Sequence, residues 1–168
     1  MVTIKKSTLW KITFVAAIII VILIIWNPFR SSPTGGVVLE GSSFSDTGDN
    51  IITDADGKPY VILFSTTWCS HCKWIKSTFD ELIQEDYANQ VNIQHWELDT
   101  KDNTLTSEIE TEIPKEIMDM YEKYNPEGSI PTFVFGGKYM RIGTGYERQN
   151  DLNAELEDFK LIINKLLE

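Results

Sequence analysis

The two cysteines of the chain, Cys69 and Cys72, are separated by only two residues, in the stretch Trp68-Cys69-Ser70-His71-Cys72. Two thiols at this spacing can close into a small disulfide ring and reopen at little conformational cost. Such a disulfide adds little stability, because in the chain-entropy model the stabilisation grows with the length of the closed loop. Since the chain has no other cysteine, any internal disulfide joins this pair. The pair therefore predicts thiol–disulfide exchange rather than a structural cross-link.

A strand and a helix flank the cysteine pair and must position it. Residues 60–65 are nearly all apolar, which is typical of a strand buried on both faces. The apolar spacing after the pair predicts a helix over residues 72–88, with one face formed by Ile75, Phe79, Leu82 and Ile83. Cys69 then lies at the N-terminal end of this helix, where unpaired N–H groups and the macrodipole stabilise a thiolate. We expect Cys69 to be the nucleophile and Cys72, about one turn inside, to be the shielded residue that resolves the mixed disulfide.

Strands and helices alternate along the rest of the chain. The pattern predicts a short first strand at residues 37–39, a strand at 91–98, a helix at 114–124, a hairpin of strands 132–135 and 139–142, and a final helix from about residue 150. The final helix has one apolar face, formed by Leu152, Leu156, Phe159, Ile163 and Leu166. The order of elements predicts an α/β fold with a central mixed β-sheet flanked by helices.

An uncharged and largely aliphatic segment, residues 12–29, precedes this domain. As a helix, its 18 residues span roughly 27 Å, close to the thickness of a bilayer's hydrocarbon core. Trp10 and Trp26 bracket the run, as interfacial aromatic residues do. The segment therefore predicts one N-terminal transmembrane anchor. The alternative is a cleaved signal peptide, which the length of the run and the lack of an A-x-A-like cleavage site disfavour.

Basic residues set the orientation that we expect for the anchor. Lys5, Lys6 and Lys11 precede the segment, and only Arg30 follows it closely. By the positive-inside rule, residues 1–11 are a short cytoplasmic N-terminus, residues 30–36 a linker, and residues 37–168 an extracytoplasmic domain. An oxidising compartment suits a dithiol that cycles with its disulfide.

The charge of the domain excludes some classes of partner. After position 30 the chain has 25 acidic and 11 basic residues, for a formal net charge of −14. This charge disfavours binding to nucleic acid and direct adhesion to anionic lipid. No glycine-rich phosphate loop is present, so we expect no nucleotide or flavin cofactor.

Residues 60–167 resemble the thioredoxin-like superfamily through three separated motifs. The first is Trp68-Cys69-x-x-Cys72 between a strand and a helix. The second is Gly128-Ser129-Ile130-Pro131-Thr132, which is similar to the cis-proline loop of the family. The third is Gly137-Lys138 in the hairpin that follows, with Gly143 just after it. The resemblance implies a membrane-anchored thiol:disulfide oxidoreductase that acts on protein thiols and disulfides and exchanges electrons with a membrane or soluble redox partner.

The resemblance also assigns roles to residues around the dithiol. Pro131 is expected to be cis and, with Ile130, to bind an extended substrate segment by strand addition; an ordinary trans turn proline is the alternative. Trp68 is expected to cover the nucleophile and to form part of the docking surface; core packing alone is the alternative. His71 lies between the cysteines, as in the C-P-H-C of bacterial dithiol oxidases and the C-G-H-C of protein disulfide isomerases. An imidazolium beside a thiolate favours the reduced form and makes the disulfide more oxidising, whereas a solvated histidine at the helix start is the alternative.

Two features leave the direction of exchange and the route of the proton open. Ile130 before the proline resembles reducing thioredoxins, whereas His71 resembles the oxidases.

Leu63 stands where the family commonly has a buried carboxylate, and His95 falls where thioredoxins have the lysine paired with that acid. His95 is therefore a candidate to relay a proton to or from Cys72; a structural or surface histidine is the alternative.

Two other classes of function compete with the redox interpretation. Cys69 and Cys72 with His71 or His95 are potential zinc or copper ligands, but zinc normally needs a second ligand pair, which the sequence lacks. We therefore expect no metal. A non-catalytic adaptor that uses the fold only to bind a partner is the other alternative.

Overall fold

A computed structural model describes residues 37–84 and 86–168 of the chain. The predicted cytoplasmic N-terminus (1–11), the predicted anchor (12–29) and the predicted linker (30–36) lie outside these described residues. Within the described residues, no helix combines the length and the apolar character needed to cross a bilayer.

A mixed β-sheet runs through the middle of the domain. Its strands in the described part of the chain are β1 (Val37–Val38), β2 (Ser45–Asp46), β3 (Tyr60–Ser65), β4 (Asn92–Glu97), β5 (Asp102–Asn103), β6 (Thr132–Phe135) and β7 (Tyr139–Ile142). Their order across the sheet is β1-β2-β7-β6-β3-β4-β5. The central strand β3 pairs in parallel with β4 and antiparallel with β6. The predicted mixed sheet is therefore confirmed.

Helices cover both faces of the sheet. They are α1 (Ser70–Asp80), α2 (Lys115–Tyr124) and α3 (Leu152–Leu167). The α1–α3 face buries a cluster that includes Leu63, Ile75, Phe79, Phe133, Phe159 and Ile163. The opposite face buries Ile62, Phe64 and Val134 of the sheet against Ile117, Met120 and Tyr121 of α2. Alternating side chains of the sheet thus enter two separate cores, which is why β3 is apolar at almost every position.

The helix after the dithiol differs from the prediction. We expected residues 72–88, but α1 ends at Asp80 and two short 3₁₀ turns, Glu81–Gln84 and Asp86–Asn89, follow. A 3₁₀ turn also places residues i and i+3 on one side. The step of three from Phe79 to Leu82, both fully buried, is therefore satisfied by either kind of helix. The N-terminus begins earlier than expected, at Ser70, because Cys69 acts as the cap.

The buried face of α3 also differs at its N-terminal end. Leu152 is exposed, whereas Glu155 and Asp158 are buried beside Phe159. Both carboxylates face Arg141 of β7: its Nη2 lies 2.7 Å from Glu155 Oε2 and its Nη1 lies 3.4 Å from Asp158 Oδ2. Burial lowers the pKa of Arg141, and the two carboxylates oppose that change. An ion cluster therefore replaces apolar packing at this end of α3.

Phe159 is the aromatic centre of the α1–α3 core. Its ring centroid lies 5.1 to 6.2 Å from those of Phe44, Phe79, Phe133 and Phe135. We expect Phe159→Ala to lower the free energy of unfolding by about 3–5 kcal/mol, because it removes these contacts and leaves a cavity. Glu157→Ala, on the exposed side of the same helix, is the matched control and should change that free energy by less than about 0.5 kcal/mol. Urea unfolding of both variants measures the difference, and equal effects would contradict the assignment of the core.

Candidate active site

The dithiol lies where the central strand passes into the first helix. Cys69 is the N-cap of α1, with an extended backbone (φ −72°, ψ 121°), and a disulfide joins it to Cys72, 5.2 Å away between Cα atoms. The Cys69 sulfur also accepts a hydrogen bond from the backbone N–H of Cys72, at 3.1 Å. A sulfur at this position faces the unpaired N–H groups of the helix start, which favour a negative charge. The structure therefore places Cys69 where a thiolate is stabilised.

Both cysteines of the disulfide are buried, next to an exposed aromatic ring. Cys72 is 2% exposed and Cys69 is 6% exposed. Trp68, directly before the pair, is 70% exposed, which excludes core packing as its only role. A large exposed aromatic ring beside a nearly buried disulfide is suited to contact with another molecule.

The loop between β3 and α1 is fixed to the end of the neighbouring strand. The carboxylate of Asp99, just after β4, accepts hydrogen bonds from the backbone N–H of Thr67 (3.1 and 3.3 Å) and from the Thr67 hydroxyl. Partial burial alone would raise the pKa of Asp99, but the hydrogen bonds from Thr67 outweigh it and hold the pKa below its usual value. This carboxylate holds the residues that precede the dithiol.

The cis-proline loop reaches the same edge of the sheet. The Ile130–Pro131 peptide bond is cis, as the resemblance implies. Thr132 pairs with Phe64 of β3, so Pro131 lies near the point where the chain leaves β3 toward Cys69. The buried amide of Asn125 binds this loop, since its Nδ2 donates to Ser129 O (2.5 Å) and to Thr132 Oγ1 (2.8 Å). Pro131 itself is buried and Ile130 is half-buried.

His71 contacts a carboxylate that the sequence did not single out. Its Nδ1 lies 2.7 and 2.9 Å from the two carboxylate oxygens of Glu147. The Thr144 hydroxyl donates to the same carboxylate, at 2.7 Å from Oε2. Partial burial would raise the pKa of Glu147, but the hydrogen bonds from Thr144 and His71 outweigh it and hold the pKa below its usual value. The imidazole of His71 is thus positioned by a partner 76 residues away.

Glu147 belongs to a loop that is anchored on several sides, which we call the 143–150 loop after its residues. The N–H of Gly143 donates to Pro131 O at 2.8 Å. The N–H groups of Gly145 and Tyr146 donate to the buried Glu155 carboxylate at 2.6 and 2.8 Å. Trp74 of α1 donates to the side chain of Asn150 at 3.0 Å. The 143–150 loop therefore connects the cis-proline loop, the ion cluster and the helix that carries the dithiol.

His95 lies in a buried polar network beneath the sheet edge. His95 on β4 is the register partner of Leu63 on β3, as the resemblance implies for the two positions that carry the family's buried lysine and acid. Its Nε2 lies 2.7 Å from Ser65 Oγ, and its Nδ1 lies 2.8 Å from Asp80 Oδ1 and 3.0 Å from Thr104 Oγ1. The side chain is fully buried, which excludes a surface histidine. None of these contacts involves Cys72.

The alternative metal interpretation requires further ligands beside Cys69 and Cys72. Among residues 37–84 and 86–168, no group of three or more His, Cys, Asp or Glu side chains is placed to hold a metal ion. His71 binds Glu147 and His95 binds Asp80.

Asp80 and Glu147 are the main site residues that sequence reasoning missed. A histidine in a buried strand requires a polar partner, and that requirement was the available signal for Asp80 on the adjacent helix. No local pattern in the sequence distinguishes Glu147 from the other acidic residues of the chain.

Comparison with known proteins agrees with the geometry. A family model described as a thioredoxin-like domain matches residues 49–160, about two thirds of the chain. The curated chloroplastic monothiol glutaredoxin-S12 of Arabidopsis thaliana is 27% identical over 115 residues, which cover 68% of this chain and 55% of that protein. This chain thus spans about half the length of that relative.

Solved structures of thioredoxins are also similar. The germline-specific thioredoxin Deadhead of Drosophila melanogaster matches 70% of this chain and 98% of its own, with 22% identity and a TM-score of 0.42. A thioredoxin of Malassezia sympodialis matches 65% of this chain and 75% of its own, with 20% identity and a TM-score of 0.40. Since the family model matches more than half of the chain, the protein belongs to the thioredoxin-like domain family.

Proposed function

We propose that the protein exchanges thiols and disulfides with extracytoplasmic protein substrates through Cys69 and Cys72. The observation that carries this proposal is the disulfide between the N-cap cysteine of α1 and a buried cysteine three positions later. A helix start lowers the free energy of the Cys69 thiolate, and a shielded second thiol suits an intramolecular resolving step.

The exchange conserves electrons and atoms. The Cys69 thiolate attacks a substrate disulfide, forms a mixed disulfide and releases one substrate thiolate. Cys72 then loses its proton and attacks the Cys69 sulfur, which forms the Cys69–Cys72 disulfide and releases the second substrate thiolate. The substrate gains two electrons, and the reverse sequence oxidises a substrate dithiol.

Neighbouring residues have distinct parts in this proposal. Trp68 and the backbone at Ile130 and Pro131 form the surface on which an extended substrate segment docks. His95 is the proton relay that we propose for Cys72. Its contacts lead to Asp80, whose side chain is 25% exposed to solvent, and the transfer to Cys72 itself is made without a direct contact between the two residues.

A redox titration of the full chain in detergent tests the exchange and its direction. We expect the Cys69–Cys72 pair to titrate as a two-electron couple with a midpoint between about −270 mV, typical of reducing thioredoxins, and about −120 mV, typical of strongly oxidising enzymes. Equilibration in glutathione buffers, followed by thiol alkylation and mass measurement, gives the midpoint. A pair that stays oxidised at every ratio of reduced to oxidised glutathione would contradict exchange.

A trapping experiment tests the separate roles of the two sulfurs. In Cys72→Ser, the mixed disulfide at Cys69 has no resolving thiol, so we expect covalent complexes with substrate proteins that reductant releases on a non-reducing gel. Cys69→Ser is the matched control, because its one remaining thiol, Cys72, lies inside α1 rather than at its N-cap, and it should trap at most about a tenth as much. Equal trapping by both variants would contradict Cys69 as the nucleophile. If Cys69→Ser kept full function in cells, the result would favour a non-catalytic adaptor over thiol–disulfide exchange.

The membrane tether is the remaining part of the proposal. We expect the full chain to sediment with membranes and to stay there in alkaline carbonate, because an apolar helix of residues 12–29 would be buried in the bilayer. A variant that lacks residues 1–36 should be found in the supernatant. Recovery of the full chain in the supernatant would contradict the tether without bearing on the dithiol chemistry.

A further inference from the structure

The contact between His71 and Glu147 is made in the disulfide form of the protein. With the Cys69–Cys72 bond closed, neither sulfur carries a charge, and the His71 ring is bound by the Glu147 carboxylate at 2.7 Å. The His71 side chain is 63% exposed and that of Glu147 is 26% exposed. The carboxylate is therefore the more enclosed member of the pair, and most of the histidine ring faces solvent.

The protein framework holds the carboxylate in place. Thr144 donates to Glu147 Oε2. The backbone just before Thr144 is bound to Pro131, and the backbone between the two residues is bound to the buried Glu155. The loop is also tied to α1 by the hydrogen bond between Trp74 and Asn150. Because none of these contacts involves His71, Glu147 is held beside the dithiol helix independently of the histidine.

We propose that Glu147 is a positioning residue that competes with the Cys69 thiolate for the imidazole of His71. The proposal rests on the proposed exchange function and deepens it. In the disulfide form, Glu147 is the anion that His71 binds. Reduction creates a second anion at Cys69, two residues from His71. A positive charge on the imidazole that is already paired with the Glu147 carboxylate attracts this thiolate less than an unpaired one would. Glu147 therefore makes the disulfide less oxidising than His71 alone would make it.

The redox reaction that reports this competition is reduction by glutathione. Two glutathione thiols supply two electrons, the Cys69–Cys72 bond breaks, and oxidised glutathione is released. One of the two glutathione protons passes to Cys72, which becomes a thiol, and the other to solvent, because Cys69 remains a thiolate. A change that stabilises the thiolate raises the equilibrium constant of this reaction.

Glu147→Gln in the full chain tests the proposal. The glutamine keeps an oxygen acceptor for His71 and Thr144 but removes the charge. We expect the equilibrium constant for reduction by glutathione to rise about twofold to fivefold, the range that an exposed ion pair permits. Glu122→Gln is the matched control: it removes the same charge from an exposed position on α2, across the sheet, and should leave the constant within about 1.5-fold of the unchanged protein.

A double-mutant cycle shows whether Glu147 acts through His71. In a His71→Gln background, Glu147→Gln should change the constant by less than about 1.5-fold, because the shared partner is gone. An unchanged constant in Glu147→Gln, a shift toward the disulfide, or the same rise with and without His71 would each overturn the proposal. These outcomes require a protein that exchanges with glutathione, so they differ from failure of the proposed function, in which no variant exchanges at all.

Discussion

The placement of Cys69 as the cap of a helix is the constraint on which the site depends. An N-cap residue has extended backbone geometry while its side chain faces the first N–H groups of the helix. Here that side chain is a sulfur, which accepts from the Cys72 N–H. The same geometry brings Cys72 one turn into the helix and below the surface, so one structural feature positions both sulfurs that the proposed exchange uses as nucleophile and resolving thiol.

Other parts of the chain hold this cap at the edge of the sheet. Asp99 binds the loop before it, and the cis-proline loop reaches the same edge through the pairing of Thr132 with Phe64. The 143–150 loop connects Pro131 to α1 through backbone and side-chain hydrogen bonds. Because these elements come from distant parts of the sequence, the site requires the complete sheet rather than the strand and helix that carry the cysteines.

The sequence predicted those features that have local signals. The apolar run of β3, the dithiol at the start of a helix, the glycine hairpin between β6 and β7, and the start of α2 directly after Pro114 each have a signature within a few residues. The partners of His71, His95 and Arg141 have none, because a carboxylate that pairs with a group 14 to 76 residues away resembles any solvated acid in sequence. The apolar periodicity gave a wrong buried face at the N-terminal end of α3. There Leu152 is exposed, and Glu155 and Asp158 are buried because they pair with Arg141.

The contacts that stabilise the fold contribute much more free energy than the contact that we expect to tune the redox equilibrium. The fold rests on large buried contacts, such as those of the four phenylalanine rings around Phe159, each side chain worth several kcal/mol on removal. The contact between His71 and Glu147 is partly exposed, and such pairs contribute about 1 kcal/mol or less. A contribution of that size leaves the fold intact yet changes a redox equilibrium constant several-fold. Substitutions at His71 or Glu147 can therefore shift the redox midpoint of the dithiol by about 20 mV or less, with the sheet and its two cores unchanged.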